Sequence, residues 1–349
     1  MPVLLSLALA ALFPFGTVPQ LSQVIPPSEL DTTERGAFTS DGRFFVIGTR
    51  PEGRADAGGW LVEITRDAQG HYVANNILAS TTEGTQDGTL EGRPAGETCL
   101  FGGMKTRGMR VYASCATAGW NVSLLEIDLE ARSVRAGKFT SCNAQPSHSP
   151  CDPKPFYANG MAIDEAGRIY VSNMLSHLQI QNDPPVISNQ GDRTLIQIQL
   201  SDEHSSATEL SFTHRQWFAD DILTDSPSPN GVQIEGSTLY FAAGPNINRV
   251  EIREDGSAGP ATVHYAGAPL TYIDDFAVHD GSMVLAKTIP PSVTWVDRSG
   301  KELGTRDMDF SSVPSSVTYQ DASERTLFPV GSYIVTSFFG GGLYVTAGQ

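Results

Sequence analysis

Four short segments each begin with a side chain that carries a hard oxygen donor. They are Glu34 in ERGAFTSDGRFFV, Asn159 in NGMAIDEAGRIYV, Asn230 in NGVQIEGSTLYF and Asp274 in DDFAVHDGSMVLA. In each, an apolar stretch follows the polar residue, then a Gly-containing turn, then a second apolar run. The spacing to that run is nearly constant: eleven residues from Glu34 to Phe45 and from Asn159 to Tyr170, ten from Asn230 to Tyr240 and from Asp274 to Val284. Brought together, the four offer two carboxylates and two amide oxygens, with no thiolate or imidazole among them. Such a donor set suits a hard divalent cation, Ca²⁺ ahead of other divalent ions, and its carboxylates would offset the ion's charge.

The elements that must position these residues are β-hairpins, because apolar runs joined by Asp-Gly, Ala-Gly or Glu-Gly turns read as paired strands. One hairpin cannot bury its apolar face alone, so the copies must pack against one another. The last three copies start 71 and 44 residues apart, and the first gap of 125 leaves room for a degraded copy. These spacings suit propeller blades, small antiparallel sheets set around a central channel. The inner strand of each blade then starts at the channel mouth, where Glu34, Asn159, Asn230 and Asp274 would converge. Residues 97–115 are expected in a second blade and residues 314–349 in the last. The segment LSQVI before the first copy is expected to pair with the last blade and close the ring. No linker divides residues 20–349, and strand-like runs such as VSLLEIDL, LIQIQL and YIVTSF recur throughout.

The four segments resemble the SMP-30/gluconolactonase family of six-bladed propellers, related to paraoxonases and strictosidine-synthase-like proteins. Pro229-Asn230-Gly231 matches that family's Pro-Asn-Gly, and Tyr157-Ala158-Asn159-Gly160 matches a related segment without its proline. Glu34 takes the family's first position, but Arg35-Gly36 replaces Gly-Pro, and Asp275 follows Asp274 where Gly is usual. The resemblance implies an all-β six-bladed propeller holding Ca²⁺ or another divalent cation on Glu34, Asn159, Asn230 and Asp274. It implies hydrolysis of a lactone or ester, in which the ion polarises the carbonyl and a base activates water. Asp274 matches the family's ligand and base. A carboxylate on a dication is a weakened base, so Asp275 is the alternative base or a substrate contact. Asn173, closing RIYVSN, is a candidate substrate-binding residue. By likeness to paraoxonases, His148 and His177 are candidate general bases. A strictosidine-synthase-like enzyme acting on a natural product and a non-catalytic ligand-binding propeller are the alternatives.

Composition sets further bounds. A net charge of −16 opposes nucleic acid and anionic membranes as partners and leaves a small molecule. No Gly-x-Ser-x-Gly elbow, His-Glu-x-x-His or phosphate loop is present. The apolar run LLSLALAALFPF makes residues 1–19 an expected signal peptide, with a buried N-terminal segment as the alternative. A secreted or periplasmic protein follows, and Cys99, Cys115, Cys142 and Cys151 then permit two disulfides, with short loops favouring Cys99–Cys115 and Cys142–Cys151. Asn121-Val122-Ser123 is a glycosylation sequon. Three long loops, 78–97, 143–158 and 174–193, are expected to carry specificity. Oligomeric state has no sequence signal.

Overall fold

Runs such as FFVI, IYV and LYFA are continuous rather than alternating, which suits strands covered on both faces. A computed structural model describes residues 18–26, 30, 32–50, 58–79, 100–116, 122–139, 158–173, 178–179, 186–187, 194–201, 205–206, 208–224, 229–321, 327–338 and 341–346. After β1 (Leu21–Ile25), the first blade is β2 (Thr32–Phe38), β3 (Phe44–Arg50), β4 (Gly58–Arg66) and β5 (Tyr72–Ala79). The second is β6 (Leu100–Arg107), β7 (Arg110–Ala116), β8 (Val122–Asp128) and β9 (Ser133–Lys138). The third is β10 (Ala158–Ile163) and β11 (Ile169–Asn173), then, beyond the small hairpin β12 (Leu178–Gln179) and β13 (Val186–Ile187), β14 (Thr194–Leu200) and β15 (Phe212–Phe218). The short helix α1 (Asp221–Thr224) leads to the fourth: β16 (Pro229–Glu235), β17 (Thr238–Ala243), β18 (Asn246–Ile252) and β19 (Ala258–Ala266). The fifth is β20 (Tyr272–His279), β21 (Ser282–Ile289), β22 (Pro291–Val296) and β23 (Glu302–Asp307). The sixth is β24 (Pro314–Tyr319), β25 (Tyr333–Ser337) and β26 (Leu343–Thr346), with β1 as its outer strand.

All six blades are four-stranded antiparallel sheets, and the chain is an all-β six-bladed propeller. The pairing of β1 with β26 closes the ring as the sequence suggests, and the second blade occupies the long first gap. The inner strands β2, β6, β10, β16, β20 and β24 neighbour one another in turn around the axis.

The core is divided among six interfaces between blades. Phe45 and Ile47 face the second blade, packing with Phe101 and Leu125. Phe44 and Val46, on the opposite face of the same strand, join Ile25, Phe328 and Val345 of the sixth. Leu239 and Phe241 likewise meet the third blade while Tyr240 and Ala242 meet the fifth. Two-sided burial is thus the reason for the continuous apolar runs.

Candidate functional site

Each inner strand has the same irregularity near its start. Register shifts between Thr33 and Arg35, Phe101 and Met104, Ala158 and Met161, Pro229 and Val232, Ile273 and Asp275, and Pro314 and Ser316. Such bulges add a residue and re-aim side chains. The bulged residues are Glu34, Gly102-Gly103, Asn159-Gly160, Asn230-Gly231, Asp274 and Ser315. The repeat read in the sequence is therefore a repeat of bulges, which bring the polar side chains to the axis. Backbone donors freed by them find local partners: Gly160 N donates to Ser172 Oγ at 2.7 Å and Gly103 N to Ser114 Oγ at 2.8 Å.

The glycine of each Asn-Gly has its own cause. A Cβ on Gly160 would collide with the Asn230 carbonyl oxygen, and one on Gly231 with Asp275 and the Asp274 carbonyl. Neighbouring inner strands approach too closely here for any side chain.

The four residues singled out as ligands do converge, and Arg35 stands among them. Its Nη2 donates to Asn159 Oδ1 at 3.0 Å and to Asn230 Oδ1 at 3.2 Å, and lies 3.7 Å from Asp274 Oδ1. Its Nη1 lies 2.6 Å from Asp275 Oδ2 and donates to the Ser315 carbonyl at 3.2 Å. The guanidinium, only 4% exposed, thereby ties blade one to blades three, four, five and six. Blade two supplies Lys105, whose Nζ donates to Gln233 Oε1 at 2.6 Å, while Gln233 Nε2 donates to Asp275 Oδ1 at 3.4 Å. A cavity of about 10 Å³, at the lower limit for one water, lies among Arg35, Lys105, Gln233 and Asp275.

Asn230 Nδ2 donates to Asp274 Oδ1 at 2.6 Å and to Tyr272 Oη at 3.2 Å, which orients the carboxyl. Burial raises Glu34 from 4.5 to about 8, with repulsion from Asp274 adding to the shift and Arg35 opposing it. Burial also raises Asp274 from 3.8 to about 6, against the pull of Arg35. Burial is the larger cause for both groups, and the nearby Asp274 carboxyl further favours the protonated form of Glu34. Burial pushes Tyr272 up to about 12, so its hydroxyl stays protonated. Burial lowers Lys105, while Asp275 opposes that shift.

Asp275, expected as base or substrate contact, is placed as the counter-ion of Arg35. Asn173 ends β11, opposite Ala158 and beside the blade-three bulge. His148, His177, Cys99, Cys142, Cys151, Asn121 and residues 1–17 lie outside the described residues. Cys115 is buried in β7, and the two expected cysteine pairings fall wholly or partly outside what is described. Arg35 entered the sequence reading only as a departure from the family motif. Lys105, Gln233 and Tyr272 were not found because none stands at the motif's first position, and Ser315 because it holds that position in blade six without a carboxylate or amide.

Ca²⁺ binds oxygens at 2.3–2.6 Å. An ion shared by Asn159, Asn230 and Asp274 would overlap the Arg35 Nη2 that already sits among those oxygens. At an effective dielectric of about 20, a dication ~3 Å from a guanidinium is repelled by roughly 11 kcal/mol. Three carboxyl groups, Glu34, Asp274 and Asp275, already face two cationic side chains, Arg35 and Lys105. Among the described residues no group of three or more His, Cys, Asp or Glu is arranged for a metal. The set does not fit a divalent cation as it stands.

Comparison with solved structures agrees with the architecture. A gluconolactonase from Xanthomonas campestris superposes with a TM-score of 0.57 at 12% identity, over 94% of this chain and 89% of that one. Regucalcin from Agrobacterium tumefaciens C58, described as a calcium-binding protein, superposes with a TM-score of 0.53 at 12% identity, over 94% and 96%. No family model and no curated protein matches the sequence. At this identity the likeness extends to the fold alone.

Proposed function

We propose that this propeller hydrolyses a lactone or ester of a small molecule at the mouth of its channel. The observation that carries the reading is the placement of two buried carboxyl groups, Glu34 and Asp274, at the hub, with Asp274 oriented by Asn230 at 2.6 Å and burial favouring the protonated form of Glu34. Asp274, held by Asn230, takes the proton of the attacking water. Glu34 returns a proton to the leaving alkoxide, and the Tyr272 hydroxyl donates to the oxyanion. Leu270 and Phe310, exposed in the connections before β20 and β24, and Ile289, exposed at the end of β21 opposite Tyr272, lie at the strand ends on this side and suit an apolar substrate portion. The divalent cation expected from the sequence has no step in this reading. Secretion, with removal of residues 1–19, completes the proposal and is tested by sequencing the mature N-terminus.

The test is hydrolysis of a panel of lactones and aryl esters by wild type, Asp274→Asn and Glu34→Gln. Turnover that falls at least a hundredfold in Asp274→Asn supports the assignment. Turnover unchanged in both variants, or none on any substrate, removes it. A non-catalytic ligand-binding propeller is the second reading, favoured by one observation: Arg35 directs its hydrogen bonds inward, to Asn159, Asn230 and Ser315.

A further inference from the structure

We infer that Arg35 is a built-in cation that takes the place of a divalent metal at the hub of this propeller, and that its side chain alone keeps the surrounding oxygens from binding one. The inference concerns the site described above but does not depend on hydrolysis, because it is read by ion binding.

Geometry carries it. A metal at the hub would draw on oxygens from several blades, and the Arg35 fork draws on the same oxygens. Asn159, Asn230 and Asp275 meet it from blades three, four and five, with the Ser315 carbonyl from blade six. A guanidinium presents five N–H donors in a rigid plane, enough to join several acceptors. It does so permanently charged, so the hub stays assembled without an ion supply. Removing the fork returns two amide oxygens and the Asp274 carboxylate to an empty cage, with Glu34 and Asp275 beside them. Without Asp275, that set is the hard-oxygen site of the sequence reading.

The test compares wild type, Arg35→Ala and Arg35→Lys in chelator and in millimolar calcium chloride, by thermal unfolding and calorimetric titration. The thermal shift of Arg35→Ala in calcium should exceed that of wild type by about 5 °C once calcium is a hundredfold above its Kd. One ion should titrate in the variant beyond any bound by wild type. Arg35→Lys, which keeps a charge in the cage, should respond as wild type does. A variant that folds only with calcium gives the same support. The inference fails if wild type and Arg35→Ala shift equally, if Arg35→Lys gains the response, or if Arg35→Ala folds in neither buffer.

Discussion

Replacing Glu34 with Gln should change how stability depends on pH more than it changes stability itself. Glu34 is 7% exposed, and burial lifts its carboxyl from 4.5 to about 8. Between those values the folded protein holds a proton that the unfolded chain has released. The stabilisation is therefore complete below pH 4.5 and is lost as pH rises through about 8. One proton corresponds to about 1.4 kcal/mol per pH unit, so between pH 5 and 8 wild type should lose roughly 3 kcal/mol relative to Glu34→Gln. Repulsion from Asp274 is part of the raised value, which makes this figure a ceiling. Glutamine keeps the volume and the hydrogen-bonding reach of the protonated acid but cannot ionise. Urea unfolding of both proteins at several pH values measures the difference directly, and contributions from other groups such as His264 cancel in it. Parallel stability curves across this window would refute the buried, proton-holding carboxyl at the hub.

Two further outcomes follow from the packing. Gly231→Ala places a methyl group against Asp275 and the Asp274 carbonyl, and should cost roughly 1–3 kcal/mol in thermal or urea unfolding; no loss would mean that the inner strands are not in contact there. Deleting residues 20–25 removes the outer strand of blade six, including the fully buried Ile25, and leaves the edge of β26 unpaired. Burial of Ile25 alone contributes about 1.5–3 kcal/mol, so the deletion should lower the Tm by about 5 °C or more and promote concentration-dependent association, measured by calorimetry and light scattering.

Much of the architecture was legible because it repeats. A polar residue, a turn and an apolar run at constant spacing marked Glu34, Asn159, Asn230 and Asp274 as equivalent positions, and the structure brings all four to the axis. The ring closure by LSQVI was legible for the same reason, since a strand left over at one end must pair at the other. Blades two and six were harder, because Gly102-Gly103 and Ser315 hold the axial position without a distinctive side chain.

What the sequence by itself determined is the local pattern: which residues begin inner strands, and which runs are buried on both faces. Only the tertiary structure decided what fills the hub. Bulges turn two successive residues of β2 inward, so Arg35 joins Glu34 at the axis instead of pointing away from it as regular strand alternation would require. Its partners come from positions 159, 230, 275 and 315, and no spacing along the chain encodes that four blades present an acceptor to one guanidinium. The same oxygens read as a metal site in one dimension and as an arginine site in three, because a ligand set is defined by donors alone until the cation already among them is seen.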